Sequence, residues 1–359
     1  MRHVAIDLGG RESQICVRSP DGTIVEEKRW PTAKLVEWLT KQPKSRVVVE
    51  TCAEAFAIAD GALAAGHEVR VVPAALVRAL GVGDRRTKTD RRDAQNLSMA
   101  SCRMDLPSVH IPSALARRRK SVCGMREALV SARTQLINTV RGWLRGDAGG
   151  PLRTGAVEHF TKRVRARYQE EGLPGYVERQ LAAIDDLTRS IGEANEELER
   201  LAKKDDECRR LMTVPGVGPV TALRFAAAVD EVGRFDGAHK LEAYLGLVPG
   251  EHSSSERTRR TGITKAGPPA LRRALVEAAW ASRRARGSHP MVLWALEVER
   301  RRGPKAASVA LARKMAGILY AILRDGTTYD PSRGRRPDES ADVDWTSLIR
   351  QRASATQSN

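Results

Sequence analysis

Three β-branched residues in a row, Val47-Val48-Val49, closed by Glu50, constrain this chain more than any other stretch. Strict alternation would leave one face of a strand in water. An unbroken apolar run needs cover on both faces, as in a central strand of a layered α/β sheet. A carboxylate at the end of such a strand needs a partner.

The surrounding residues supply the rest of a sheet. His3 to Leu8 is a short apolar run containing Asp7. Gly9-Gly10 turns it into a second run, Ser13 to Arg18, and Pro20-Asp21-Gly22 makes a hairpin into Thr23 to Lys28. A helical pattern at Leu35, Val36 and Leu39 precedes the Arg46 to Val49 strand. A helix over about 54–65, a strand at Glu68 to Val72 and a helix beginning near Pro73 follow. Three strands, then helix, strand, helix, strand is the order of a ribonuclease-H-like layer. In that layer Asp7 and Glu50 open onto one end of the sheet.

Downstream, Thr87-Lys88-Thr89-Asp90-Arg91-Arg92-Asp93-Ala94 sets two carboxylates three residues apart in a basic run. If Asp90 opens a helix, Asp93 falls on the same face within one turn. The bland account makes Asp90 an N-cap and Asp93 a favourable first-turn charge. The functional account joins both to Asp7 and Glu50, because a two-metal phosphoryl-transfer site needs three or four carboxylates to hold ions roughly 4 Å apart. Mg²⁺, with Mn²⁺ as the alternative ion, suits such oxygen ligands.

Charge narrows the partners. A formal net charge of +17 and a pI near 10.2 imply a polyanion. Nucleic acid fits better than membrane, since no apolar run is expected to approach the length of a spanning helix. Met1-Arg2-His3-Val4 lacks the apolar core of a signal peptide, so the chain is expected in the cytoplasm. Five scattered cysteines without a Cys-x-x-Cys pair suggest reduced, packed thiols rather than disulfides or zinc.

With Asp7, Glu50 and Lys88-Thr89-Asp90-Arg91-Arg92-Asp93-Ala94 on one side, a second block stands at Gly246-Leu247-Val248-Pro249-Gly250-Glu251-His252-Ser253-Ser254-Ser255. Gly262-Ile263-Thr264-Lys265-Ala266-Gly267 and Leu271-Arg272-Arg273-Ala274-Leu275 follow it. Together these resemble the bacterial insertion-sequence transposases related to the Piv invertase, the IS-one-ten family of bridge-RNA-guided recombinases. The resemblance covers roughly residues 3–325. It implies an N-terminal domain similar to the junction resolvase RuvC with an Asp-Glu-Asp-Asp tetrad holding metal, and a C-terminal transposase domain with a nucleophilic serine. That serine maps to Ser254, with Ser253 as competitor. Ser255 stands where relatives commonly have Gly, and Thr51-Cys52-Ala53 departs from the sequence usual after the Glu. The resemblance also implies target and donor DNA, a structured non-coding RNA and a dimer or tetramer as partners. Chemically it implies a covalent phosphoserine link to DNA.

The remaining segments are helical and basic. Ser113 to Arg145 carries apolar residues at helical spacing, with Arg117-Arg118-Arg119-Lys120 on its leading turns as candidate phosphate contacts. Arg257, Arg259, Arg260, Lys265, Arg272 and Arg273 are candidates of the same kind. The stretch 253–265, too polar for core, reads as a loop presenting serine to an anion. Val177, Leu181, Ile184, Leu187, Ile191, Ala194, Leu198 and Leu201 recur at three- and four-residue steps over 174–204, a coiled-coil-like seam expected to meet another subunit or to fold back on the preceding helix. Val214-Pro215-Gly216-Val217-Gly218-Pro219 resembles the hairpin of a helix-hairpin-helix module, where glycines let backbone N–H groups approach phosphate; a tight helix connection is the competing account. The expected layout is an α/β domain over 1–110, an all-α linker over 111–206, a helical transposase domain over 207–328 and a disordered tail over 329–359.

Two other functions stay open on these residues. One is a metal-dependent junction nuclease without a serine step. The other is a sugar kinase of the actin-like fold, suggested by Ala5-Ile6-Asp7-Leu8-Gly9-Gly10 but lacking a second Asp-x-Gly loop.

Overall fold

A computed structural model describes residues 1–79, 89–146, 150, 152–254, 257–284 and 289–332; at 78–79, 252–254 and 257–260 only the backbone is described. Two compact units divide at Ser113/Ala114.

The first unit is a layered α/β sheet. Strands β1 (Arg2–Asp7), β2 (Glu12–Arg18) and β3 (Ile24–Pro31) form the antiparallel meander. Helix α1 (Leu35–Thr40), strand β4 (Ser45–Glu50), helix α2 (Ala55–Ala64), strand β5 (Glu68–Val72), helix α3 (Ala74–Ala79) and helix α4 (Asp90–Arg103) complete it. The sheet order is β3-β2-β1-β4-β5, with β1, β4 and β5 parallel. As the Val47-Val48-Val49 run requires, β4 is central and covered twice. Val4, Ile6, Ile15, Val47, Val49 and Val71 pack on one face against Leu35, Trp38 and Leu39 of α1 and Ile58 and Ala59 of α2. Ala5, Val48 and Val72 pack on the other against Val77 of α3 and Leu97 of α4. The β5 edge is closed by its own chain: the Val109 N–H donates to Val71 O at 2.8 Å, and the Val71 N–H donates to Ser108 Oγ at 2.9 Å.

The second unit is mainly helical. Helix α5 (Ala114–Gly146), helix α6 (Phe160–Arg167) and helix α7 (Gly175–Lys204) form an elongated bundle. Val177, Leu181 and Ile184 of α7 are buried with Ile137, Val140 and Leu144 of α5 and Phe160 of α6. Of the two outcomes open to the α7 seam, this is the fold-back on the preceding helix. Much of it is consumed within the chain, because α5 carries its own apolar stripe of matching length and the short α6 turn returns α7 antiparallel onto it.

Beyond that bundle come α8 (Asp206–Leu211), α9 (Pro219–Val229), α10 (Ala238–Tyr244), strands β6 (Pro249–Ser254) and β7 (Arg257–Ile263), α11 (Pro269–Arg284) and α12 (Pro290–Asp325). Strands β6 and β7 pair antiparallel as a two-stranded ribbon, where a loop was expected. A ribbon of two strands need bury neither face, so its residues carry none of the apolar alternation that announces a strand.

Gly216 explains the Pro-Gly-Val-Gly-Pro connection. Its φ is +86°, and a Cβ there would lie 2.3 Å from the Ala278 carbonyl oxygen of α11. Val214 and Val217 beside it are buried in the same core. This glycine therefore serves close helix packing, the competing account to a phosphate hairpin.

Helix α12 breaks at Gly303, whose φ of 80° and ψ of 167° are not helical, and Pro304 starts its second half. Contrary to expectation, this helix contains an 18-residue window long and apolar enough to cross a membrane, of which 50% is buried inside the unit. Leu311, Ala312, Met315 and Leu319 from that half are core residues in one cluster with residues of α9 and α11, and Ala307 is buried as well.

Candidate active site and nucleic-acid surfaces

The sheet pleat decides where the tetrad candidates face. Val4 and Ile6 face α1 and α2, so Ala5 and Asp7 face the α4 side; by the same alternation Val48 and Glu50 share that side. Ile6 pairs with Val49 across β1 and β4, so Asp7 and Glu50 each stand one residue beyond that pair, at the carboxyl ends of adjacent parallel strands. Both are half-buried.

Helix α4 runs back over this face. His3, near the start of β1, has Nδ1 2.8 Å from Ser101 Oγ near the helix C-terminus, while Arg18 Nε donates to Ser98 Oγ at 2.9 Å. The N-terminal turn therefore lies toward the Asp7 end. Thr89, not Asp90, is the N-cap: its Oγ1 accepts from the Arg92 N–H at 3.4 Å, and Asp90 opens the first turn. Asp93 is half-buried and sits one turn above Leu97, which packs with Ala5 and Val48, so it faces the strands that bear Asp7 and Glu50.

Asp90 points elsewhere. It is exposed and pairs with Arg29 at 3.3 Å. Arg29 lies opposite Gln14, and Gln14 opposite Asp7, so the residue that holds Asp90 stands two strands from Asp7, about 10 Å between backbones by the usual strand spacing. Arg91 and Gln95 strengthen that attachment through Glu27, with Arg91 NH2 at 2.7 Å and Gln95 Nε2 at 2.5 Å. The Arg91 guanidinium holds the Glu27 carboxyl below its ordinary pKa. Among the described residues no group of three or more His, Cys, Asp or Glu side chains is close enough to hold a metal ion. The donor chemistry and the shared sheet end suit a hard divalent cation, but the acids as placed have to move inward to ligate one. Sequence reasoning missed Arg29. The Pro20-Asp21-Gly22 turn hints at its register opposite Gln14, but nothing in the sequence announces that Asp90 lands over it.

The serine candidates divide. Ser253 and Ser254 end β6, paired with Thr258 and Arg257 of β7, so the backbone sets Ser254 at the tip of the ribbon. Ser255, Thr87 and Lys88 lie outside the described residues, as do the side chains of Ser253, Ser254, Arg257, Arg259 and Arg260 and the tail from 333. The root of the ribbon is tightly built. A Cβ on Gly246 would lie 2.3 Å from Ala266 O, and one on Gly267 would lie 1.9 Å from Tyr244 O. Both glycines have positive φ. Arg272 NH1 donates to Ala266 O at 2.7 Å and to Leu245 O at 3.1 Å, closing the clasp.

That role commits Arg272 NH1 to backbone carbonyls of the clasp. Arg119 is turned away from solvent altogether. It is 5% exposed and meets Asp205 at 2.5 Å and Glu207 at 2.8 Å. Its place on the Ala116, Arg119, Cys123 stripe puts it under the α8 turn, where burial demands an acid. Arg118, Lys120 and Lys265 are exposed, Arg117 half-buried. Arg273 is exposed but paired with Glu127 at 2.5 Å.

The first unit is thus an α/β layer with carboxylates at adjoining strand ends, and the chain continues into a mainly helical unit that carries the β6–β7 ribbon. Comparison with known proteins gives the class. Residues 4–146 match a transposase family named for the DEDD transposases of IS110 elements, and residues 208–291 match the Transposase IS116/IS110/IS902 family. The transposase for insertion sequence element IS1111A of Coxiella burnetii is 30% identical over 340 residues, covering 91% of this chain and 90% of the relative. The transposase for insertion sequence element IS1328 of Yersinia enterocolitica is 28% identical, covering 91% and 98%. A probable family 20 transposase of Pseudomonas aeruginosa is 28% identical, covering 92% and 99%. The chain belongs to the IS116/IS110/IS902 family of insertion-sequence transposases. That membership removes the sugar-kinase alternative.

Proposed function

We propose that this transposase breaks and rejoins DNA strands through a serine-DNA intermediate, with Asp7, Glu50, Asp90 and Asp93 as ligands for Mg²⁺ and a structured non-coding RNA selecting the DNA sites. The observation that carries the reading is the pairing of Asp7 and Glu50 at adjacent strand ends, on the sheet face over which α4 brings Asp93. The strand order β3-β2-β1-β4-β5 is that of a ribonuclease-H-like layer, which supports a RuvC-like assignment for this unit.

In this reading the Ser254 hydroxyl attacks the phosphorus of a phosphodiester. An Oγ–P bond forms, the bond to the 3′ oxygen breaks, and that oxygen departs with the proton the serine gives up. Bond energy is kept for strand exchange. A bound divalent ion supplies Lewis-acid stabilisation of the phosphoryl oxygens. Asp7 and Glu50, on strand ends fixed by the sheet, form the rigid half of the ligand set. Asp93 approaches from α4, and Asp90 joins only by leaving Arg29. Arg257, paired with Ser254 across the ribbon, supplies positive charge for the developing phosphorane. The guide RNA rests on the family resemblance and on a cationic excess of +17.

The test is a denaturing gel for protein covalently attached to DNA, run beside calorimetric Mn²⁺ titration. Ser254→Ala is expected to abolish the adduct while metal binding persists; Glu50→Gln is expected to weaken metal binding and strand cleavage together. Adducts that persist in Ser254→Ala move the nucleophile to another residue, and unchanged metal affinity in Glu50→Gln refutes the tetrad.

A further inference from the structure

The kink of α12 gathers a charge cluster that neither the candidate active site nor the serine ribbon uses. Arg300, Arg301 and Arg302 end its first half, Gly303 breaks the helix, and Lys305 follows Pro304 into the second half. All four cationic side chains are exposed. One or two positive charges would satisfy the C-terminal end of the first half's dipole; three stand there, and Lys305 adds a fourth at the start of the second half, where the dipole disfavours it. Nearby acids do not offset them. Among the described residues of the same turn, Glu299 is engaged by Arg283 in a close ion pair and Glu297 is half-buried.

Arg283 also makes the kink rigid. Its side chain is 3% exposed, and NH1 donates to Ser308 Oγ at 2.6 Å and to Pro304 O at 3.2 Å. The same guanidinium lies over the ring of Trp280 on α11, 4.7 Å from the centroid. Trp280 nonetheless stays 37% exposed, in a chain whose aromatic content is only 4%. One arginine therefore holds an accessible indole beside the kink, on whose two arms the four exposed cations are carried.

Cations on a rigid apex hold phosphates, and an accessible indole beside them offers a base a stacking surface, the combination used to hold unpaired strands. A duplex keeps its bases stacked on one another and has no use for the indole. We propose that the α12 kink and Trp280 form a binding site for single-stranded nucleic acid, with Arg300, Arg301, Arg302 and Lys305 on the backbone and Trp280 under a base. The site involves no tetrad acid and no candidate serine, so it stands or falls independently of the proposed chemistry.

Fluorescence anisotropy with the full chain tests it, using oligo-dT, oligo-U and a duplex of equal length over a range of salt. Replacing Arg300, Arg301 and Arg302 together by Ala is expected to weaken single-strand binding about tenfold or more and to lower the slope of log K against log salt by about 2. Trp280→Ala is expected to weaken the single strands about tenfold while sparing the duplex, and Trp280→Phe to restore most of the loss. The strand that loses more affinity, DNA or RNA, identifies the natural source. Equal losses for single strands and duplex in Trp280→Ala, or unchanged single-strand affinity in the triple variant, would overturn the proposal. Thermal melting of each variant separates a binding loss from an unfolded chain.

Discussion

His3 shows how one side chain reports on the seating of α4. Burial, and then the nearby Arg46 charge, push its pKa below the ordinary 6.5. The unfolded chain therefore takes up a proton near pH 6.5 that the folded chain resists. The stability this group confers is full above that pH and is lost as pH falls toward the lowered folded value. Urea midpoints measured from pH 7.5 down to 5.5 should decline more steeply in the wild type than in His3→Asn. Equal slopes would mean that His3 titrates alike in both states. Arg119 carries a different lesson. In the string Arg117-Arg118-Arg119-Lys120 all four look alike, yet helical spacing sets Arg119 in line with Ala116 and Cys123, and the structure buries it against Asp205. The stripe was readable; its acidic partner, far off in the chain, was not.

At the scale of elements, signals that depend on burial were legible and those that depend on exposure were not. The strand β4, walled on both sides, announces itself through three valines, and the meander through its Gly and Pro turns. The ribbon of β6 and β7 buries so little that its sequence looks like a loop. The α7 seam was correctly periodic, but period alone does not say whose helix fills the groove. Because Leu181 and Ile184 are buried against α5 of the same chain, Leu181→Ala should destabilise by about 2–5 kcal/mol, the range for a core leucine. Denaturation at several protein concentrations checks it. A midpoint independent of concentration fits an internal seam, and one that climbs with concentration would make it intermolecular.

For the whole molecule, the charge of +17 was the plainest message in the sequence, and the folded chain leaves much of it on the surface. Binding to duplex DNA of unrelated sequence should fall steeply with salt, with a log–log slope steeper than about −4, corresponding to more than four phosphates neutralised. A shallow slope in anisotropy titrations would point to a small footprint. The sequence sets Asp7 and Glu50 at one sheet end, where the strand register has them, but it could not foresee Arg29 pairing with Asp90, since that contact joins residues 61 apart in the chain. The glycine clasp under the serine ribbon bears on how the molecule must work. With Gly246 and Gly267 leaving no room for a side chain and Arg272 tying the two ends, the ribbon's base has little freedom to bend. For the nucleophile proposed at Ser254 this means that β6 sets out from a fixed root, so a side chain introduced at Gly246 or Gly267 should disturb strand exchange from a distance.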